Sequence, residues 1–250
     1  MEVELYNKLL QGWTALALLV FVALFFVSAP YGRHTRGGWG PSLSSRWAWF
    51  WMEIVAVVGL PVLFVLGDHR GPVSWLWLGL WEVHYLHRTF VFPYRRRHSS
   101  SHTPLTVVLL ALVFNVVNAY ANGHWLFTLG PARDLAWLTQ PQCLAGLGLF
   151  AGGMALNLDS DNRLLRARRE SADYAIVHSG GFRWVSSPNY LGEILEWTGF
   201  ALATGSPAAA AFALWTVANL APRAWTHHRW YLERFAEYPA GRRALLPWLW

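Results

Sequence analysis

Charge is scarce in this chain: 14% of its 250 residues are Asp, Glu, Lys or Arg, against 54% that are hydrophobic. So little polar surface does not coat a water-soluble globule of this size, which excludes the ordinary soluble class. Cysteine is nearly missing as well. Cys143 stands alone, so no intramolecular disulfide can form and nothing argues for an oxidised extracellular module. The only lysine is Lys8, near the N-terminus, which leaves no spanning helix able to hold a retinal Schiff base. No run alternates polar and apolar residues over barrel length, and open sheets do not persist in lipid, so strands are not expected. Internal repeats and low-complexity linkers are also missing, which reads as a single domain over residues 1–250.

What the chain has instead is apolar runs. Seven lie near 12–29, 47–66, 73–92, 104–121, 142–158, 189–204 and 206–222, close to the length of about 20 residues that crosses a hydrocarbon core as helix. The expected fold is all-α, a multi-pass integral membrane protein with seven transmembrane helices. The first run follows Glu2, Glu4 and Lys8 and lacks the basic start and short core of a cleaved signal, so it reads as a retained helix. Orientation follows from arginine. The segments 30–46, 93–103, 159–188 and 223–250 hold Arg33, Arg36, Arg46, Arg95, Arg96, Arg97, Arg163, Arg166, Arg168, Arg169, Arg183, Arg223, Arg229, Arg234, Arg242 and Arg243, whereas the other side has only Lys8, Arg70 and Arg133. Positive loops stay cytosolic, which places the N-terminus outside and the C-terminus in the cytosol. The net charge of +6 is thus a topology signal and does not call for a nucleic-acid partner. Tryptophan, present 17 times, is dense around 47–51, 75–81 and 248–250, as interfacial belts and packing require.

Ionisable side chains inside such helices are costly and mark a function by default. Glu53 lies about 10 Å inside the second helix from its cytosolic end near Arg46, and Tyr85 about 12 Å inside the third from the same surface. A carboxyl and a phenol therefore stand at one level, within reach of a shared hydrogen bond. On a helical wheel Glu82, Tyr85 and Thr89 share a narrow face, with His84, His87 and Arg88 on the other side. Such groups either satisfy one another between helices or line a site. Asn115, Asn118 and Asn122 share a face of the fourth helix, where packing and pocket lining are both open.

The cytosolic end of the fifth helix opens into NLDSDNRLLRARRE, crowding Asn157, Asp159, Asp161, Arg163, Arg166, Arg168 and Arg169. Beyond a Gly-Gly loop, Ser187 and Pro188 form a cap and first-turn pair. A helix start with arginines beside it suits an anion or phosphate. Arg223, His227 and Tyr231 recur every four residues on one helical face at the level of Asn157 and Asn189, with Glu193 one turn deeper. GLGLFAGG at 146–153 has the wrong spacing and no preceding strand for a dinucleotide fingerprint, and reads as close helix packing. The pairs His84 with His87, His98 with His102, and His227 with His228 are too scattered for a di-iron centre, so no metal is expected.

HYLHRTFVF, NLDSD, SPNYLGEILEW and HHRWYLERFAEYP, in that order, resemble the steroid 5α-reductase family from helix two to the C-terminus, most strongly over 157–250. The resemblance implies NADPH-dependent reduction of the C4–C5 double bond of 3-oxo-Δ4-steroids. It implies Glu53 and Tyr85 at the substrate carbonyl, and Asn157, Asp161, Arg168, Tyr174, Asn189, Glu193, Arg223, His227 and Tyr231 as cofactor contacts. It also implies an apolar steroid arriving from the bilayer, with membrane lipid as the surroundings and no obligatory protein partner. Two other readings stand beside it: a methyltransferase using S-adenosylmethionine on a prenylated cysteine, because those enzymes have similar C-terminal stretches, and a non-enzymatic sterol-binding transporter or receptor. One lysine with abundant arginine and alanine favours a bacterial inner membrane, and a eukaryotic source would favour the endoplasmic reticulum.

Overall fold

The computed structural model describes residues 1–30, 32–34, 36–95, 102–170 and 174–250. Arg96, Arg97 and His98, and the side chain of Arg33, all used above for charge or histidine patterns, lie outside the described residues. The long helices are α1 (Glu2–Phe26), α2 (Ser45–Leu66), α3 (Pro72–Leu86), α5 (Leu105–His124), α6 (Pro141–Glu170), α7 (Pro188–Thr204) and α8 (Pro207–Arg234). Past α3 the chain makes a π-turn, His87–Val91, and a short helix α4 (Phe92–Arg95). Each apolar run seen in the sequence coincides with one of these helices. By length and composition, four helical stretches among the described residues are apolar enough to cross a membrane: Glu2–Phe26, Ser45–Leu66, Leu105–Leu129 and Pro141–Glu170. The others are shorter, or, like α8, carry a polar end.

Two expectations need correction. A small sheet exists, because β1 (Ser42–Ser44) pairs antiparallel with β2 (His102–Pro104). Strands fail in lipid for want of backbone partners, but these two pair with each other at the very starts of α2 and α5. The segment 159–170, expected as loop, instead continues α6 without a break to Glu170. Asp159 and Arg163 bridge at 2.7 Å one turn apart, and Arg168 with Arg169 in the last turn complements the helix dipole.

The β1–β2 pair fixes the relative height of α2 and α5. Leu43 sits opposite Thr103, and the Ser45 and Thr103 hydroxyls meet at 3.1 Å. Starting from that common level, Glu53 is about 12 Å along α2 and Asn115 about 15 Å along α5. The Asn115 Nδ2 accordingly donates to the Met52 carbonyl at 2.6 Å.

A second register is set by glycine. Gly146 and Gly153 on α6, and Gly192 and Gly199 on α7, repeat every seven residues and so stay on one face of each helix. A Cβ at any of them would strike the backbone of the facing helix: at Ala203, Glu196, Asn157 and Phe150 respectively. The two backbones therefore touch, as the 146–153 run led one to expect. Asn157 of α6 and Asn189 at the start of α7 are held side by side by that contact. Beneath them Trp81, Trp197, Phe200 and Phe212 pack as an aromatic core, with Trp197 and Phe212 centred 4.4 Å apart. Trp81 is anchored by its indole N–H, which donates to the Ala56 carbonyl at 3.0 Å.

Replacing Gly199 by Val should lower the thermal unfolding midpoint in detergent, at a cost of about 1–3 kcal/mol from overpacking. Gly148→Ala and Gly152→Ala, where a Cβ meets open space, should instead stabilise by about 0.5–1 kcal/mol. Equal responses at both kinds of position would refute the close contact.

Candidate functional site

Between α1, α2, α3, α5, α7 and α8 lies a cavity of about 700 Å³, within the size range of small-molecule sites. Most of its wall is apolar: Trp13, Leu16 and Val20 from α1, Phe114 from α5, Phe212 and Trp215 from α8. Polar groups gather in one region, where Glu53, His84, Tyr85, Arg88, Asn115 and Glu193 all reach the wall. Leu16, Leu110 and Val113 line the cavity yet are also exposed on the outer surface. The cavity thus approaches the lipid-facing side between α1 and α5.

Glu53 and Tyr85 both reach the cavity wall, close enough to feel each other's charge. Asn115, Asn118 and Asn122 are buried on one face of α5, and Asn115 binds the Met52 carbonyl next to Glu53. Asn122 donates to the Asn118 carbonyl and side-chain oxygens, both at 3.0 Å. The narrow wheel face is corrected. The cavity is wide enough to take an arc of about 100° of α3, which contains His84, Tyr85 and Arg88. Glu82 and Thr89 fall outside that arc, Glu82 half-buried and Thr89 packed away.

Arg88 joins this region to α6 and α7. One guanidinium nitrogen lies 3.7 Å from Asp161 and another 3.5 Å from Glu193, while the carbon stacks 4.7 Å over Trp49. Asp161 accepts from the Asn189 Nδ2 at 3.1 Å, and the Asn157 Nδ2 donates to the Asn189 carbonyl at 2.9 Å. Four of the nine residues expected at the cofactor, Asn157, Asp161, Asn189 and Glu193, thus join in one buried network around Arg88, a residue the sequence left without a role. The signal was available: an arginine inside an apolar run has to find carboxylates.

The remaining five make other contacts. Arg223 lines the cavity and donates through Nε to the Tyr190 hydroxyl at 3.1 Å. His227 lies between Tyr190 and His34, with ring centres at 5.4 and 5.2 Å. Tyr231 stacks on Tyr238 at 5.0 Å. Arg168 lies over the Tyr174 ring at 5.1 Å, away from the cavity wall. Ser187 does precede α7, which starts at Pro188, yet its buried hydroxyl makes no capping bond. His84 and Glu196, another residue the sequence left unassigned, form a buried pair at 2.8 Å.

Truncating Arg88 to Met should leave Asp161 and Glu193 buried without their cation, destabilising the protein by roughly 3 kcal/mol, visible as a lower thermal midpoint in detergent. An unchanged midpoint would mean that the bridge does not hold the network.

The family model described as 3-oxo-5-alpha-steroid 4-dehydrogenase matches residues 101–250. The steroid 5-alpha-reductase DET2 of Solanum lycopersicum is 36% identical over 252 residues, covering 99% of this chain and 98% of that protein. The protein of the same name from Arabidopsis thaliana is 39% identical over 238 residues, with 92% and 90% covered. The 3-oxo-5-alpha-steroid 4-dehydrogenase 1 of Mus musculus is 37% identical over 248 residues, with 96% and 94% covered. On the family match and on near full-length identity above a third, this chain is a member of the 3-oxo-5-alpha-steroid 4-dehydrogenase family of oxidoreductases.

Proposed function

We propose that the protein reduces the C4–C5 double bond of a 3-oxo-Δ4-steroid with NADPH. The observation that carries this reading is the cavity: an apolar chamber that ends on Glu53 and Tyr85 and is joined through Arg88 and Arg223 to a polar cytosolic layer. A steroid is a rigid apolar body with one conjugated carbonyl, and that chamber offers apolar walls plus one polar end. The names of the relatives, steroid 5-alpha-reductase among them, support the same substrate class.

Charge develops on the C3 oxygen when C5 is reduced, and a donor already aimed there lowers the barrier. Tyr85 is that donor, with Glu53 beside it holding or relaying the proton. Tyr85 is buried, with Trp81 and Trp197 packed against its ring at 4.7 and 5.7 Å, so little reorganisation is left for the moment of reaction.

The residues present fit a nicotinamide dinucleotide. Arg223 and His34 line the cavity, and the rings of His227 and Tyr190 follow next to them, where a flat ring and phosphates would need planes and cations. Asn157, Asp161, Arg168, Tyr174, Asn189, Glu193, Arg223, His227 and Tyr231 are the residues we assign to holding it. When bound, NADPH supplies the hydride that reaches C5.

Residues 1–250 act as one unit in this reading, with 157–250 carrying most of the cofactor side. Seven crossings, N-terminus outside and C-terminus in the cytosol, put the cofactor residues on the arginine-rich face. The steroid comes from the surrounding lipid, and no protein or nucleic-acid partner is invoked. The arginine bias places the chain in a bacterial inner membrane, and a eukaryotic source would place it in the endoplasmic reticulum.

Purified protein given NADPH and testosterone or progesterone should oxidise NADPH in step with formation of the 5α product. Tyr85→Phe should lower kcat by about 10²–10³ with little change in steroid KM. No oxidation across a panel of Δ4-3-ketosteroids would refute the reading.

A further inference from the structure

Saturating a conjugated double bond adds a hydride at C5 and a proton at C4. Tyr85, bonded to the C3 oxygen, accounts for the charge on oxygen and leaves the carbon-bound proton without a source. We propose that His84, held by Glu196, is the catalytic acid that delivers this proton to C4. The proposal rests on the reductase reading above.

The ring of His84 is fixed on three sides. Its Nδ1 meets the Glu196 Oε1 at 2.8 Å, with side-chain exposures of 6% and 0%. Trp197 stands edge-on at 4.7 Å and Tyr85 at 5.1 Å. Glu196 comes from α7 and His84 from α3, so the pair also ties those helices together. A carboxylate on Nδ1 fixes which ring nitrogen faces outward and keeps the imidazole in one orientation. The other nitrogen, Nε2, has no protein partner among the described residues and is not sealed off, and His84 itself forms part of the cavity wall. It therefore opens toward the chamber beside the Tyr85 phenol. Two neighbouring side chains then address two neighbouring positions of one substrate: oxygen on C3, and C4.

The step balances. The enolate electron pair forms the new C4–H bond as the Nε2–H bond of the imidazolium breaks, and the C3 carbonyl is restored. A neutral imidazole remains, its Nδ1–H on Glu196, and water from the cytosolic mouth returns the proton. The charged and titratable groups near the ring are Glu196 and Glu193 from α7, Glu53 from α2, and Tyr85, His87 and Arg88 from its own stretch of chain.

The test compares wild type with His84→Gln and Glu196→Gln in H₂O and D₂O, with testosterone, NADPH and its 4-deuterated form. His84→Gln should lose about 10²–10⁴-fold in kcat, the range for general acid catalysis, while KM for steroid and for NADPH stays close to wild type. Its solvent isotope effect should rise as proton delivery becomes limiting, and the effect of deuterated NADPH should shrink. Glu196→Gln should lose less and shift the pH profile of kcat. It carries the same isotope readout should His84→Gln fail to fold. In cofactor-free wild type, ¹⁵N NMR should find the His84 Nδ1 protonated throughout and Nε2 titrating. Near-normal kcat in His84→Gln, or joint loss of kcat and affinity with an unchanged solvent isotope effect, would overturn the proposal and leave the reductase reading standing. A wild type without activity would overturn both.

Discussion

A guanidinium buried in an apolar bundle sets the terms for everything around it. Arg88 stands between Asp161 of α6 and Glu193 of α7, and none of the three is tolerable at that depth without the others. Their mutual need draws α3, α6 and α7 to one point. That point is also where the apolar chamber gives way to a polar layer. The site is built around this boundary, with the bridge across it.

Two mechanical devices deliver the helices to that point. The three-residue strands level α2 with α5, so that Asn115 meets the Met52 carbonyl next to Glu53. The glycine repeat lets α6 and α7 touch backbone to backbone, which brings Asn157 to Asn189 and carries Glu196 toward α3. Neither device touches a ligand. Both decide whether the ligand-facing groups arrive at the same height.

Much of this was legible in the sequence. Apolar run length located every long helix, because the need to bury backbone polar groups leaves few other options. Depth counting put Glu53 and Tyr85 at one level, since helical rise is nearly constant. The four-residue spacing of Arg223, His227 and Tyr231 gave a real face of α8. What escaped depended on neighbours that no single helix reveals. Arg88 and Glu196 are decided by carboxylates and an imidazole more than 70 residues away in the chain. The contact of Asn115 with the Met52 carbonyl needs α5 at a known height, which a pair of short strands supplies. The long tail of α6 was mistaken for loop because its charges mask a helix made coherent by local pairing with Arg163.

The account stands or falls on where the hydride goes. With NADPH deuterated at the transferring position of C4 and progesterone as substrate, mass spectrometry and NMR of the product should place one deuterium on C5 and none elsewhere on the steroid. Deuterium at another carbon, or a reduced product free of label, would contradict the meeting of steroid and nicotinamide in this cavity.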